Sequence, residues 1–190
     1  MIRSPSDSDW LLVRNNALFT RRKSSSTVPS SKLKLKLLAS EHSPIYNLEY
    51  IWEWLNLPYW VSVHFVRHNI GITHFVSTQR NDMQDNYDRR KAPQDSLVNH
   101  RCVANASAIM SISRKRLCLT ASNETRYSWE LFLDELDTVS PELRELCVKP
   151  CIYRSGTCPE VFSDCRYNET KKFKKEVKEY NNLFLDLKNG

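Results

Sequence analysis

A run of aromatic and β-branched residues constrains the fold of this chain more than any other feature. Residues 60–66 read WVSVHFV, a composition typical of a buried β-strand. Arg67-His68-Asn69 follows the run directly, and Ser77 comes a few residues later. We therefore predict a core strand whose polar end contributes to a functional site.

Other segments have the hydrophobic periodicity of helices. A helix is predicted from about Asp9 to Thr20, and helical periodicity runs from Ser96 to Leu136 through one or two long helices. Pro141 stands at the first turn of a further predicted helix. The last predicted helix has apolar residues at i, i+4, i+7 and i+11, which are Phe173, Val177, Tyr180 and Phe184.

The remaining segments lack this periodicity. The sequence KLKLKLL at 32–38 alternates strictly, which favours an edge strand with its lysines in water, and a short helix is the alternative. The Ser-rich stretch 21–32 is predicted to be a surface loop. The stretch 81–95 mixes acidic and basic residues without an apolar period, and we expect a second loop there.

These patterns predict an α+β fold, in which an antiparallel or mixed sheet is flanked by long helices. Residues 1–31 are expected to form an N-terminal helix and a Ser-rich basic connector. Residues 32–190 are expected to form one domain that ends in the C-terminal helix.

The net charge of +6 belongs to one segment of the chain. Residues 1–36 contain eight Lys or Arg and two Asp, which accounts for the whole excess. The rest of the chain is neutral, so a specific nucleic-acid surface is not expected. Salt-sensitive, non-specific binding of nucleic acid through the basic segment is the alternative.

The sequence contains no apolar window of the roughly 18–20 residues that would span a bilayer. Its start lacks the apolar core of a secretory signal, so we expect a soluble, cytoplasmic protein with no membrane partner. An organellar transit peptide is the alternative for the Arg- and Ser-containing start, but Asp7 and Asp9 favour a capped helix.

In a protein that is not exported, the six cysteines are expected to be reduced. No metal site is predicted. Structural zinc is the alternative, because reduced thiols in a cluster can bind zinc tetrahedrally, although no Cys-x-x-Cys pair is present. The cysteines concerned are Cys147, Cys151, Cys158 and Cys165.

A second polar segment lies within the predicted helical region. NASAIMSISRKRLCLTASNETR, residues 105–126, carries Asn105, Arg114, Arg116, Glu124 and Arg126. Guanidinium groups bind phosphate by bidentate contacts, so several arginines near two element ends suit a phosphorylated ligand. The chain has three Gly and no glycine-rich phosphate loop, so side chains would have to hold a nucleotide. Solvated charges on a helix face are the alternative.

Several of these stretches resemble flavin-dependent thymidylate synthases. That family's signature is Arg-His-Arg, seven residues and then Ser, and Arg67-His68-Asn69 followed by Ser77 matches all but its third member. STQRND, residues 77–82, is similar to the Ser-x-Arg-Tyr that the signature's Ser opens. Upstream, SEHSPI resembles the family's Gly-His-x-Ser segment, with His42 as its histidine.

The second polar segment resembles the family's Asn-x-Arg-Ser … Leu-Arg … Ala-Gln-x-Glu-Ile-Arg helix. The matching residues are Asn105, Arg116, Ala121, Glu124 and Arg126. The resemblance covers about residues 38–160, and its motifs occur in the family's order. By this resemblance the chain is identified as a divergent, compact member of the flavin-dependent thymidylate synthase family.

The resemblance implies the family's reaction and assembly. A methylene group from methylenetetrahydrofolate would be transferred to carbon 5 of dUMP and reduced by FADH2, which is itself regenerated from FAD by NADPH. No cysteine nucleophile is used in the family, because the flavin carries the redox step. Its sites lie between the subunits of a homotetramer.

The resemblance also implies a role for individual residues. Arg126 would be catalytic and lie at the pyrimidine, where a fixed cation stabilises developing negative charge. The expected FAD-binding residues are His42, Arg67, His68, Asn69, Arg114 and Arg116. The expected dUMP-binding residues are Ser77, Thr78, Gln79, Arg80 and Arg126, with Arg80 on the phosphate.

Two departures from the family pattern leave other functions open. Asn69 and Ser107 each stand where the family has an arginine, which removes two cations near the expected phosphates. One alternative is therefore a related flavoenzyme that acts on another pyrimidine nucleotide or uses another one-carbon donor. A second alternative is a homologue without catalysis that binds nucleotides or nucleic acid, or serves as an assembly subunit.

Overall fold

The computed structural model describes residues 2–83, 87–162 and 164–189. Its strands are β1 (Ile2–Arg3), β2 (Glu49–Pro58), β3 (Ile72–Val76) and β4 (Leu97–Asn105). Its α-helices are α1 (Asp7–Phe19), α2 (Ser31–Ala39), α3 (Tyr59–Val66), α4 (Ala106–Arg116), α5 (Asn123–Val139), α6 (Pro141–Leu146), α7 (Pro150–Tyr153) and α8 (Lys171–Asn189). Short 3₁₀ helices occupy Ser43–Asn47 and Tyr167–Glu169.

The four strands form one antiparallel sheet in the order β1-β2-β4-β3. The predicted α+β class is confirmed. Because side chains alternate across a strand, one face of β4 is buried under the helices. The buried residues of β4 are Val98, His100, Cys102 and Ala104.

The prediction of a strand at residues 60–66 is wrong, because this segment lies within helix α3. Its buried residues, Val61, Ser62 and Phe65, lie on one helical face, while Val63 and Val66 are partly exposed. The polar residues that follow are therefore delivered by the C-terminus of a helix and not by the end of a strand. Cations are favoured at a helix C-terminus by the helix dipole.

The prediction of helix from Ser96 to Leu136 is wrong for its first part, since residues 97–105 form β4. Helices α4 and α5 confirm the rest of the prediction. Asn105 ends the strand and caps α4, since its side-chain oxygen accepts the Ala108 amide at 2.9 Å.

The edge strand predicted at residues 32–38 is also wrong. These residues belong to α2, which begins at the N-cap Ser30 and packs against α6 and α8. Leu38 is fully buried, and the other leucines of α2 are half-buried. Three leucine positions alternating with lysine fit a helix here because only part of the helix surface faces the core.

The predicted N-terminal helix, the helix begun by Pro141 and the C-terminal helix are confirmed. Trp10 and Val13 of α1 belong to the same core as the sheet and α5. The described residues of the predicted loop 81–95 form turns without helix or strand, and residues 84–86 lie outside the described part. None of the described helices has the length and apolar character needed to cross a membrane.

The centre of the core is an aromatic cluster between β2, α3 and α5. Trp52 stacks on Phe132 with ring centroids 4.3 Å apart, and Trp54 stacks on Phe65 at 4.4 Å. Trp129, fully buried, contacts both pairs and donates its indole N–H to Ser113 at 3.0 Å. This cluster fixes the position of α3, and with it the residues that follow.

Candidate functional site

The C-termini of α3 and α4 meet the N-terminus of α5 at a junction held by polar side chains. Arg116, the last residue of α4, donates its Nε–H to Nε2 of His68 at 2.9 Å and a second N–H to the His64 carbonyl. His64 Nδ1 lies 2.7 Å from the Thr125 hydroxyl in the first turn of α5. The junction therefore unites residues from both polar segments of the sequence.

The electrostatics of this junction are cationic. The pKa of His68 is lowered to about 4, first by burial and then by Arg116, His74, Arg67 and Lys115. Burial and the charge of Arg67 also lower the pKa of Arg116. His68 is therefore neutral at pH 7. The pKa of His64 is also lowered, by burial, Arg116 and Arg67, with Glu124 acting in the opposite direction. Arginine charges are therefore the main electrostatic influence at the junction, which suits an anionic ligand.

The hydrogen bonds define which groups remain available to such a ligand. Because Arg116 donates to Nε2 of His68, that nitrogen is the acceptor and the proton of the neutral ring is on Nδ1. Arg67 is exposed and makes no side-chain hydrogen bond or ion pair with any described residue. The junction thus presents an imidazole N–H and a guanidinium to an incoming group.

A chain of hydrogen bonds holds His68 from the sheet side. His74 Nε2 lies 2.6 Å from the His68 carbonyl, which can only accept, so the His74 proton is on Nε2. His74 Nδ1 then accepts from His100 Nε2 at 2.9 Å, and His100 Nδ1 accepts the Ser62 hydroxyl proton at 3.0 Å. Each ring nitrogen of His74 and His100 therefore has a hydrogen-bond partner.

Sequence reasoning missed His74 and His100 as part of the site's support. They lie on the inner faces of β3 and β4, and His100 is fully buried with its pKa lowered to about 4, chiefly by burial. The signal that could have identified His100 is its place in the alternation of Val98, Cys102 and Ala104.

Arg114 does not point into the junction. It forms an ion pair with Glu41, and its guanidinium stacks on the Tyr153 ring at 3.5 Å. Residues two apart on a helix face in different directions, so Arg114 and Arg116 serve different surfaces of α4.

Arg126 lies in the first turn of α5, next to Thr125 of the junction. Its guanidinium donates to the Asn123 side chain at 2.7 Å and to the Leu119 carbonyl at 3.4 Å. Both partners are neutral, so the positive charge of Arg126 is not compensated by them. Glu124 is exposed on the same turn.

Ser77–Arg80 lies at the opposite end of β3 from the junction. Ser77 extends the pairing of β3 with β4, since its amide donates to the Asn99 carbonyl at 2.8 Å and its hydroxyl accepts the Asn99 amide at 2.9 Å. Arg80 is exposed and paired with Asp82. Ser77 follows His74 by three residues, about 10 Å along the strand at about 3.3 Å per residue, and His74 Nε2 contacts the His68 carbonyl at 2.6 Å.

The remaining residues expected at the site lie at the surface. His42 is exposed at the N-cap of the 3₁₀ helix Ser43–Asn47, and Asn69 is exposed just after α3. The hydroxyl of Thr78 accepts the Arg80 amide at 3.2 Å, and Gln79 is half-buried. The structure therefore brings together Arg67, His68 and Arg116, and leaves the other expected residues in separate places on one chain.

Two cavities border these groups. The larger, about 780 Å³, lies between β2 and α5, has a mostly apolar lining and reaches Asn123 and Glu124 beside Arg126. The second, about 610 Å³, is a depression on the outer face of the sheet and reaches Ser77 and Arg101. Both volumes fall in the range of small-molecule sites.

Comparisons with known proteins find similar structures but no similar sequences. No family model matches the sequence, and no curated protein matches it. The structure of thymidylate synthase X (ThyX) from Helicobacter pylori with FAD and dUMP aligns with a TM-score of 0.61, over 77% of this chain and 96% of that chain. The chain has the fold of ThyX. The sequence identity to this ThyX is 12%, so the likeness establishes the fold alone.

Two further structures agree. A second Helicobacter pylori ThyX, complexed with FAD and dUMP, aligns with a TM-score of 0.61 and 13% identity, over 78% of this chain and 99% of that chain. PolB, a UMP/dUMP methylase from Streptomyces cacaoi bound with 5-Br dUMP, aligns with a TM-score of 0.52 and 13% identity, over 79% and 97%. The fold is therefore shared with enzymes that act on dUMP.

Proposed function

We propose that this protein is a flavin-dependent enzyme that methylates carbon 5 of dUMP, with methylenetetrahydrofolate as carbon donor and NADPH as reductant. The observation that carries the proposal is the cationic junction, where Arg67 and His68 of the signature-like segment meet Arg116 of the second polar segment. The fold shared with ThyX and PolB supports it.

The residues at the junction fit the anionic part of FAD. Arg67 has no partner among the described residues, Arg116 is half-buried, and the Nδ1–H of His68 is available as a donor. A pyrophosphate needs donors and positive charge of this kind, and charge-assisted hydrogen bonds are the strong ones. Reduced FAD would supply the hydride of the reaction.

The residues of this chain would bind the cofactor, orient dUMP and stabilise the charge that develops during the reaction. Arg67, His68 and Arg116 would hold the cofactor's phosphates, with His42 and Asn69 at its edge. Ser77, Thr78, Gln79 and Arg80 would hold dUMP, with Arg80 exchanging Asp82 for the phosphate. Arg126, whose partners are neutral, would stabilise negative charge that develops on the pyrimidine ring.

Arg114 has a different role in this proposal. Its pairing with Glu41 and its stacking on Tyr153 fix α4 against neighbouring segments, which holds Arg116 in place. It would not contact FAD directly.

A second copy of the chain would complete the site. Within one chain the flavin group and the dUMP group lie towards opposite ends of β3, and a second copy would bring one group of each kind to the same pair of rings. The depression beside Ser77, on the exposed outer face of the sheet, is where another subunit would bring its junction. A homotetramer supplies such pairs by symmetry.

Flavin binding tests the proposal directly. Titration of the purified protein with FAD, followed by flavin fluorescence, should give saturable binding. Arg67→Ala and Arg116→Ala should each weaken binding by about 10- to 100-fold, the usual effect of losing a charged hydrogen bond. Arg21→Ala, which removes an exposed cation from the connector, is the matched control and should leave binding unchanged.

Activity is tested separately. The flavin-loaded protein with methylenetetrahydrofolate and NADPH should release tritium from dUMP labelled at carbon 5, and Arg126→Ala should abolish release without loss of bound FAD. Comparison of dUMP, UMP and dCMP by thermal shift identifies the nucleotide, because a ligand at 100 times its Kd adds about 2.7 kcal/mol of stability. Flavin binding without release for any nucleotide would assign the chain to a non-catalytic role.

A further inference from the structure

Four cysteines from distant parts of the sequence line one small chamber beside the C-terminal helix. They are Cys118, Cys151, Cys158 and Cys165. The chamber has a volume of about 20 Å³, which is room for one ion or one water molecule. The charges of Cys118 and Cys158 raise the pKa of Cys151 after burial, and those of Cys151 and Cys165 act together on Tyr167, so the four thiols are electrostatic neighbours.

This set differs from the zinc alternative drawn from the sequence. Cys147 is buried in the core and lines a different cavity. Its place is taken by Cys118, which follows α4 and is 33 positions before Cys151. Sequence spacing did not suggest Cys118 because the fold, and not the local chain, brings it to the others.

The backbone after α7 is shaped to return the chain to Cys151. The Gly156 amide donates to the Cys151 carbonyl at 2.8 Å, and the Ser155 amide donates to the Ile152 carbonyl at 2.9 Å. With Ser155 at φ 50° and Gly156 at φ 109°, this is a Schellman motif that reverses the chain. The reversal brings Cys158 to the chamber.

Tyr167, two residues after Cys165, is anchored on the other side of the chamber. Tyr167 donates its hydroxyl to Glu176 of α8 at 2.6 Å, and the same carboxylate oxygen accepts Lys149 at 3.1 Å. Lys149 also lies 4.9 Å over the Tyr167 ring and lines the chamber.

The segment between these anchors buries little apolar surface. Its described residues, 157–162 and 164–166, contain no helix or strand. Its large apolar residues are in water, with Val161 at 83% and Phe162 at 100% exposure. A structural metal is one source of stability for a segment that buries little apolar surface.

We propose that Cys118, Cys151, Cys158 and Cys165 bind a structural zinc ion that ties the loop between α7 and α8 to the end of α4. Four thiolates with no open position are the donor set of a structural zinc site. In the structure the four sulfurs line the chamber but are farther apart than the ligands of a bound metal ion would be. Among the described residues, only His74, His100 and Cys102 place three such ligand atoms within 4.8 Å of one another. Zinc would draw the sulfurs to about 2.3 Å from the ion.

The histidine group is the competing metal site, and the hydrogen bonds explain it without a metal. His100 Nε2 donates to His74 Nδ1 at 2.9 Å, and the other nitrogen of each ring has its own partner. The Cys102 thiol lies 3.4 Å from His74 Nδ1.

Metal analysis of the reduced full-length protein tests the proposal. After reconstitution with Zn²⁺ and desalting, the protein should hold one zinc per chain. Co²⁺ in its place should give the intense thiolate-to-cobalt absorption of several thiolates. Cys158→Ser and Cys118→Ser should lose the metal, whereas the controls Cys102→Ser and Cys147→Ser should keep it. Cys158 is exposed, so its substitution should leave the circular dichroism of the rest unchanged.

Limited proteolysis supplies an independent readout. Zinc should slow cleavage within residues 154–166 by at least tenfold, and Cys158→Ser should remove that protection. Failure of the reduced protein to retain Zn²⁺ or Co²⁺ would overturn the proposal. Retention by Cys158→Ser together with loss from Cys102→Ser would also overturn it, by assigning the metal to the histidine group. These results do not depend on flavin binding.

Discussion

Acid should destabilise this protein through His100, a histidine held neutral inside the core. Its pKa falls from 6.5 to about 4 on folding because burial disfavours the imidazolium. Below pH 6.5 the unfolded chain binds a proton at this position that the folded chain does not bind. The free energy of unfolding therefore decreases as the pH is lowered. The loss should reach about 2 kcal/mol by pH 5 and about 3 kcal/mol by pH 4, where it levels off.

Urea unfolding between pH 7 and pH 4, followed by tryptophan fluorescence, measures this loss. Trp52, Trp54 and Trp129 lie in the core and report its opening. His100→Gln lowers stability at pH 7. Between pH 7 and pH 4, however, this variant should lose about 3 kcal/mol less unfolding free energy than the wild type. The control is His42→Gln, an exposed histidine whose removal should leave the wild-type profile. Equal pH profiles for His100→Gln and the wild type would refute the reasoning.

Three substitutions test the packing that positions the site, each by urea unfolding at pH 7. Gly71→Ala should cost more than about 1 kcal/mol, because φ is +70° and a Cβ would lie 2.7 Å from the side chain of Asn105, which caps α4; an unchanged midpoint would contradict this. Tyr50→Phe should cost about 1–2 kcal/mol by leaving the buried hydroxyl of Ser140 without its partner at 2.9 Å, and a neutral result would mean that Ser140 finds another. Leu136→Ala should cost about 2–5 kcal/mol through the cavity it opens in the core, and a cost under 1 kcal/mol would show that α5 closes the space.

The errors in the secondary-structure predictions have a common physical origin. WVSVHFV contains residues that favour strands, and a short apolar run does not reveal its period. Val61 and Phe65 are four residues apart and both buried, so packing of one helical face outweighed the strand propensity of the residues. Residues 97–105 do alternate between buried and exposed positions. The alternation was difficult to recognise in the sequence because two of the buried positions are His100 and Cys102.

Sequence reasoning named Arg67, His68 and Arg116 as candidate site residues but did not predict the contacts between them. His68 and Arg116 are 48 residues apart, and no periodicity in the sequence could show that they share a hydrogen bond. The family resemblance implied only that both residues lie near FAD, while chemistry indicated the suitability of arginine for phosphate. His74 escaped notice because its role is to hold a backbone carbonyl, a contact that leaves no pattern in the sequence.

The central claim is that Arg67, His68 and Arg116 form the anion-binding part of a flavin site. The most direct measurement is the absorbance spectrum of the purified protein after incubation with excess FAD and removal of free ligand. The account predicts a yellow protein with up to one FAD per chain, and a colourless Arg67→Ala/Arg116→Ala double variant with unchanged circular dichroism. A colourless wild-type protein at saturating FAD, or a double variant as yellow as the wild type, would contradict the account.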